Sequence, residues 1–328
     1  ARMNLVWQFF AAVLATISLL SWAWMAARLR RGEPLLIAEP RRPVPWQAVD
    51  LLIIALVFAA ALVLLAMGLN VTLAEPDDDL KRFEIAVGAS LAANAITVAF
   101  AVVWLASRVG AKASDLGWCG ETAGRDVRTG LVAFAAVSGP IYGMQALLSQ
   151  FTSEQHPIIE MLAKHSSGWL FALCGISAVV AAPLAEEFLF RGLLQGWLES
   201  LPFKSQPAGA GPIAAVGAPA DSNDDASMPA TRAGTTGPLA DHDQMGPGEN
   251  NSQDAPKGQL GAIVLTSAIF ALMHWGHGFA PVPLFFLSLA LGWLYQRTHR
   301  LLPSVVLHFC VNGCSFLMLP LALSERAQ

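Results

Sequence analysis

The sequence predicts an all-α fold, a polytopic bundle of about eight transmembrane helices. Hydrophobic residues make up 55% of the 328 residues and charged residues only 13%, about half the charge of a usual soluble domain. Several apolar runs approach the roughly 20 residues that a helix needs to cross a hydrocarbon core about 30 Å thick. A soluble core would not repeat such runs so often, so we expect the chain to lie in a membrane.

Windows of about 19 residues place the spanning helices along the chain. Pro183 falls inside the fifth span, which is long enough to include an extension, so seven or nine helices also fit the sequence. The first apolar run is too long for a signal peptide and is followed by arginines, so we expect it to remain as a helix. The predicted spans are residues 5–27, 48–69, 85–106, 129–149, 169–199, 260–275, 281–297 and 303–323.

Lys and Arg are concentrated in alternate loops, which predicts the orientation, because positively charged loops stay in the cytoplasm. The loops after the first and third spans carry five and four basic residues. The loop after the second span is acidic, and the loop after the fourth has Lys164 as its single Lys or Arg residue. This pattern predicts an outside N-terminus and cytoplasmic residues 200–259. The net charge of −4 gives no basic face for nucleic acid.

Residues 204–258 interrupt the apolar pattern, because they are rich in Pro, Gly, Ala, Ser and Asp and have almost no large apolar residues. This composition cannot bury a core, so we predict a disordered cytoplasmic linker, with a docking or regulatory tail as the alternative. The predicted organisation is therefore N-terminal transmembrane helices in residues 1–110 and a core in residues 111–323 that the linker interrupts.

The first of three polar clusters lies in the fifth span, where ionisable side chains are expensive and indicate function. Glu187 and Arg191 are four residues apart, so they share a helical face and can pair. Glu186 points about 100° away from Glu187 and is free to act on another group. The alternative is the end of an interfacial helix whose charges merely face water.

Two further clusters contain histidines. His274 ends a Phe-x-x-x-His pattern, and His308 and Asn312 share one helical face. A buried core histidine and a hydrogen bond between helices are the alternatives. Glu186 lies 14 residues before Ser200 and His274 lies 14 residues after Leu260, the two helix ends that the linker joins, so each is roughly 21 Å along its helix. His308 lies only five residues after a proline, which predicts a shallower level unless its helix begins below the surface.

Taken together, Glu-Glu-x-x-x-Arg, Phe-x-x-x-His and His-x-x-x-Asn, in this order on separate helices, resemble the CPBP family. This family contains the type 2 CAAX prenyl proteases and bacteriocin-processing, Abi-like proteins. The resemblance covers about residues 115–320 and includes Asp115-Leu116-Gly117-Trp118. It implies an intramembrane endopeptidase in the bacterial cytoplasmic membrane, with its active site toward the cytoplasm. The implied substrate is a membrane-embedded or membrane-associated protein or peptide.

The resemblance also assigns roles to the polar residues. Glu186 is expected to be the base that activates water, supported by the neighbouring ion pair. His274 is expected to bind or orient that water, while His308 and Asn312 are expected to stabilise the oxyanion. The predicted catalytic residues are Glu186, Glu187, Arg191, His274, His308 and Asn312.

Metal-free and metal-dependent chemistry are both compatible with this set. No His-Glu-x-x-His pattern is present, so we favour a glutamate mechanism without a cofactor. The alternative is Zn²⁺ held by Glu186, His274 and His308, with an open position for water. A proton-coupled transporter and a catalytically silent membrane scaffold are alternatives from other classes. The sequence shows no repeated halves, however, and retains every motif residue.

Overall fold

The computed structural model describes residues 2–39, 43–72, 79–151, 157–165, 167–201, 257–276 and 278–326. These residues form helices and no strand, which confirms the all-α prediction. We number the helices of the described residues as α1 Arg2–Arg30, α2 Ala48–Thr72, α3 Asp79–Val109, α4 Ala123–Leu148, α5 Pro157–Lys164, α6 Gly168–Ser200, α7 Lys257–Leu272, α8 Pro281–Thr298 and α9 Leu301–Arg326.

Six of these helices, α1 to α4, α6 and α9, are long and apolar enough to cross a membrane. The other two predicted spans also form helices, but the apolar part of α7 is only Leu260–Leu272. Helix α8 ends with polar residues, and much of its surface is buried against its neighbours. The protein is an integral membrane protein, and the predicted number of eight spans is approximate.

Segments Ala1–Leu201 and Lys257–Gln328 form one compact unit. Nearly all of the predicted linker, residues 204–258, lies outside the described residues. The predicted division between residues 1–110 and 111–323 stays a prediction. One part of the core lies where α8 packs between α4 and α9, and it contains Ile141, Leu287, Leu291, Leu294, Leu307 and Val311.

Loops that the charge pattern places on one side of the membrane meet in the fold. Arg300, between α8 and α9, binds Glu39 from the first loop and, at 2.8 Å, Asp126 in the first turn of α4, which follows the third loop. Burial lowers the pKa of the Arg300 guanidinium, but these hydrogen bonds outweigh burial and raise it above its usual value. Lys164 Nζ lies 3.0 Å from the Asp79 carboxylate, which joins the second and fourth loops. Which of these two sets of loops faces the cytoplasm stays a prediction.

The turn between α8 and α9 is buried, which sets the level of His308. His299 adopts a left-handed conformation with a φ of 49°, and Arg300 is only 7% exposed. The Leu301 amide, the first of α9, donates to Gly117 O at 2.9 Å. Helix α9 therefore begins inside the protein, and His308 lies deeper than its distance along the sequence indicated.

Gly117 makes this turn possible, and Gly117→Ala is expected to destabilise the protein by about 1–3 kcal/mol. Gly117 has a φ of +81°, and a Cβ there would lie 3.0 Å from Leu301 Cγ and 3.1 Å from Leu301 N. Denaturant unfolding in detergent measures the loss. Gly110→Ala is the matched control, because Gly110 has a φ of +67° with nothing within 4 Å of its Cβ position. An equal loss in both variants would show that the approach to Leu301 contributes nothing.

Pro140 frees a carbonyl group inside α4, and α1 binds it. Proline has no N–H, so the carbonyl four residues earlier, Ala136 O, loses its helical donor. Ala136 O instead accepts hydrogen bonds from Ser18 Oγ at 3.1 Å and Trp22 Nε1 at 2.9 Å. The proline therefore creates the acceptor through which α1 binds α4.

Candidate active site

The two adjacent glutamates lie in an unusual part of α6. Glu186 and Glu187 end a short α-helical stretch, Ala182–Glu187, which lies between π-helical stretches Ile176–Ala181 and Phe188–Gln195. Stretches of π-helix are rare and occur frequently at functional sites. The hydrogen-bonding pattern of α6 therefore changes on both sides of the carboxylates.

Asn312 of α9 binds the first π-helical stretch. In a π-helix the amide donates to the carbonyl five residues earlier, as Ala182 does to Ser177 O. The next donor would be Pro183, which has no N–H. Ala178 O instead accepts a hydrogen bond from Asn312 Nδ2 at 2.9 Å. Asn312 thus holds α6 to α9 one turn after the histidine of its motif.

Glu187 and Arg191 form a buried ion pair. Their side chains are 0% and 1% exposed, and Glu187 Oε1 lies 3.1 Å from Arg191 Nη1. Arg191 Nη2 donates to Ser288 Oγ of α8 at 2.7 Å. The guanidinium also lies 4.8 Å from the ring centroid of Phe270 in α7. Buried charges need such partners, so the pair ties α6 to both α7 and α8.

His308 contacts both glutamates through different ring nitrogens. Its Nδ1 lies 2.8 Å from Glu187 Oε1, and its Nε2 lies 3.7 Å from Glu186 Oε2. An ionised carboxylate can only accept, so Nδ1 carries the proton in its contact with Glu187. Glu187 therefore orients the ring and directs Nε2 toward Glu186. The Glu186 side chain is 28% exposed, unlike that of Glu187.

His274 lies just beyond α7 and packs against Phe270. Its Nδ1 lies 2.9 Å from Phe270 O, and the two ring centroids are 5.0 Å apart. Phe270 also lies beside His308, with ring centroids 5.9 Å apart. Glu186 interacts electrostatically with both histidines. Phe270 thus links the second motif to the third.

The structure places the six predicted residues at three locations. Asn312 binds the backbone of α6, and His274 reaches the cluster through Phe270. Sequence reasoning missed Ser288, which binds the buried arginine. Its signal was a single hydroxyl within the apolar stretch of α8, because such residues commonly bond across helices in membranes. The four residues in direct contact are Glu186, Glu187, Arg191 and His308.

The candidate site offers one accessible carboxylate and two imidazoles as possible Zn²⁺ ligands. Zn²⁺ needs at least three protein ligands with lone pairs directed at one point. Across the described ranges, no three His, Cys, Asp or Glu side chains converge in this way. Glu186 and His308 form an adjacent pair, and His274 Nδ1 lies 2.9 Å from Phe270 O, which leaves Nε2 as the ring nitrogen of His274 that could bind a metal. The metal-free mechanism and the Zn²⁺ alternative both stay predictions.

Comparison with known proteins bears on the same residues. The family model of the type II CAAX prenyl endopeptidases, Rce1-like, matches residues 168–218 and 249–314, and these ranges contain all six predicted site residues. No curated protein and no solved structure gives a significant match. The resemblance predicted from the motifs is confirmed. The part of the chain that carries the candidate site is therefore similar to the Rce1-like type II CAAX prenyl endopeptidases.

Proposed function

We propose that this protein is an intramembrane endopeptidase that hydrolyses a peptide bond of a membrane-associated protein or peptide. The observation that carries the proposal is the contrast between two adjacent carboxylates. Glu187 is buried and bound by Arg191 and His308, whereas Glu186 is partly exposed with His308 Nε2 at 3.7 Å. An accessible carboxylate beside an oriented imidazole suits general base catalysis. The family match supports the same reaction class.

In the proposed reaction, Glu186 accepts a proton from water while the water oxygen adds to the scissile carbonyl carbon. The proton then passes to the amide nitrogen as the carbon–nitrogen bond breaks, which leaves a carboxylic acid and an amine. His308 is held by Glu187, so its Nε2 position is fixed before substrate binds. Such preorganised groups are effective because they need no rearrangement as charge develops.

Asn312 and His274 are proposed to assist in this reaction. Asn312 Nδ2 carries two N–H groups, and one of them donates to Ala178 O. The other N–H is proposed to help His308 stabilise the oxyanion, a role in which His308 is doubly protonated and donates from Nε2. His274 is proposed to orient the water, and its electrostatic interaction with Glu186 supports this role.

The active site is proposed to open toward the cytoplasm of a bacterial cell. The basic loops before α2 and α4 meet the buried turn at the start of α9, and basic loops are retained in the cytoplasm. The beginning of α9 and the polar end of α8 therefore belong to the proposed cytoplasmic side. The bacterial setting comes from the resemblance to the CPBP family.

Cleavage in the presence of a chelator tests this function and its mechanism. Peptides that are released from membranes with the wild-type chain, but not from membranes with the Glu186→Gln variant, are cleavage products and identify the substrate. Purified protein in liposomes is then expected to cleave it at an unchanged rate after exhaustive chelation. If chelation abolishes cleavage and Zn²⁺ restores it, the metal-free mechanism is wrong, and Glu186, His274 and His308 become candidate ligands. No wild-type-specific product would favour the silent scaffold.

A further inference from the structure

A cavity separate from the candidate active site lies between α1, α4 and α8. Its volume is about 550 Å³, within the range of roughly 300–1,000 Å³ typical of small-molecule sites. Trp22 of α1, Ala133 and Val137 of α4, and Trp293 of α8 form apolar walls, and residues 34–37 also line the cavity. We call this cavity the α1–α4–α8 groove.

Three arginines, Arg28, Arg125 and Arg128, line the groove together with the apolar residues. Arg28 is engaged, because it donates to Pro34 O at 3.1 Å and lies 3.4 Å from Glu33. Arg125 and Arg128 are exposed, and within the described part of the chain their guanidinium groups make no hydrogen bond or ion pair. None of the described residues that line the groove is acidic. The groove therefore combines uncompensated positive charge with apolar surface.

The position of the groove indicates which molecules reach it. Its arginines lie in the last turns of α1 and the first turns of α4, in segments that the charge pattern assigns to the cytoplasmic side. Tryptophan and arginine at the ends of spanning helices are typical of the boundary between hydrocarbon and headgroups. Trp22 and Trp24 are 53% and 44% exposed within the protein. Lipid headgroups and the upper parts of acyl chains occupy this level of a membrane.

We propose that the α1–α4–α8 groove binds an anionic glycerophospholipid, with its phosphate on Arg125 and Arg128 and an acyl chain along the apolar walls. A guanidinium matches a phosphate in shape and can bind it with two parallel hydrogen bonds. The cytoplasmic leaflet is rich in anionic lipids, which attract arginines near the surface. A lipid matches both the arginines and the apolar walls of the groove, since it carries a phosphate and an apolar chain in one molecule.

Native mass spectrometry of the full chain in non-ionic detergent tests this proposal. The protein is titrated with phosphatidylglycerol and with phosphatidylcholine of the same acyl chains. Wild-type protein is expected to bind phosphatidylglycerol at least about tenfold more tightly, because each arginine near the surface adds attraction for anionic lipid. Arg125→Gln/Arg128→Gln is expected to abolish this preference. The matched control is Arg30→Gln/Lys112→Gln, which removes the same charge from exposed residues that do not line the groove.

Two further arms separate a lipid from a free phosphate. Ala133→Phe fills the apolar wall and is expected to weaken phosphatidylglycerol binding severalfold while both arginines remain. Inorganic phosphate at the same concentration is expected not to compete with the lipid. Equal binding of the two lipids, an equal loss in the control variant, or competition by phosphate alone would each overturn the proposal. Thermal unfolding of every variant verifies that lost binding does not come from a lost fold.

Discussion

Replacing Glu186 with glutamine is expected to lower the rate of peptide-bond cleavage by about 10²–10⁴, the usual contribution of a general base. Glutamine keeps the size of the side chain and its hydrogen bonding, but it cannot accept the proton of water. The protein is expected to remain folded, because the Glu186 side chain is partly exposed and lies 3.7 Å from its histidine neighbour. Initial rates in liposomes, with kcat and KM determined separately, measure the effect. The loss should fall on kcat.

Glu199→Gln is the matched control for this experiment. Glu199 is another carboxylate of α6, more buried than Glu186, and it accepts a hydrogen bond from Gln195 at 2.7 Å. Its replacement removes one carboxylate charge from the same helix and is expected to leave kcat nearly unchanged. A Glu186→Gln variant that cleaves as fast as the wild type would reject Glu186 as the base and leave the silent scaffold as the better interpretation.

Glu187→Gln is expected to cost about 3–5 kcal/mol of stability, because it leaves Arg191 buried without its counter-charge. The Arg191 side chain is only 1% exposed, so water does not replace the lost counter-charge. Equilibrium unfolding in mixed micelles measures the loss, and the yield of folded protein should fall with it. Activity should fall as well, since His308 loses the carboxylate that orients it.

A double variant distinguishes a buried charge from simple loss of packing. Glu187→Gln/Arg191→Met removes both charges and keeps a side chain of similar length at position 191. It is expected to be more stable than Glu187→Gln alone, because no uncompensated charge remains inside the protein. If the two substitutions add, the ion pair contributes no coupling energy and the site is held by other contacts.

The sequence was sufficient to predict the ion pair of the candidate site. Glu187 and Arg191 pair because a helix places side chains four residues apart on one face, and the pair survives even though Arg191 lies within a π-helical stretch. The π-helical stretches themselves were not predicted, since they depend on contacts such as that of Asn312 with Ala178 O. Residues far apart in the sequence make those contacts, and periodicity carries no information about them.

The depth of His308 shows the same limit. Counting residues from the nearest proline assumes that a helix begins at the surface. Helix α9 instead begins at a turn in which Arg300 is buried and the Leu301 amide donates to Gly117 O. That burial depends on ion pairs with residues from two distant segments. The helix count was approximate for another reason, because α8 ends with polar residues and half of its residues are buried against other helices.

The two prolines inside spanning helices restrict which helices can associate. Ala136 O and Ala178 O lack a donor in their own helices and find one on α1 and on α9. In hydrocarbon a backbone carbonyl without a hydrogen-bond donor costs several kcal/mol, because no water can replace the missing donor. A neighbour shifted along its axis by one turn, or the wrong neighbour, would leave that carbonyl exposed to lipid. The two prolines thus favour one partner helix at one offset, and the bond to Ala178 O sets the register between α6 and α9 in which the candidate catalytic groups meet.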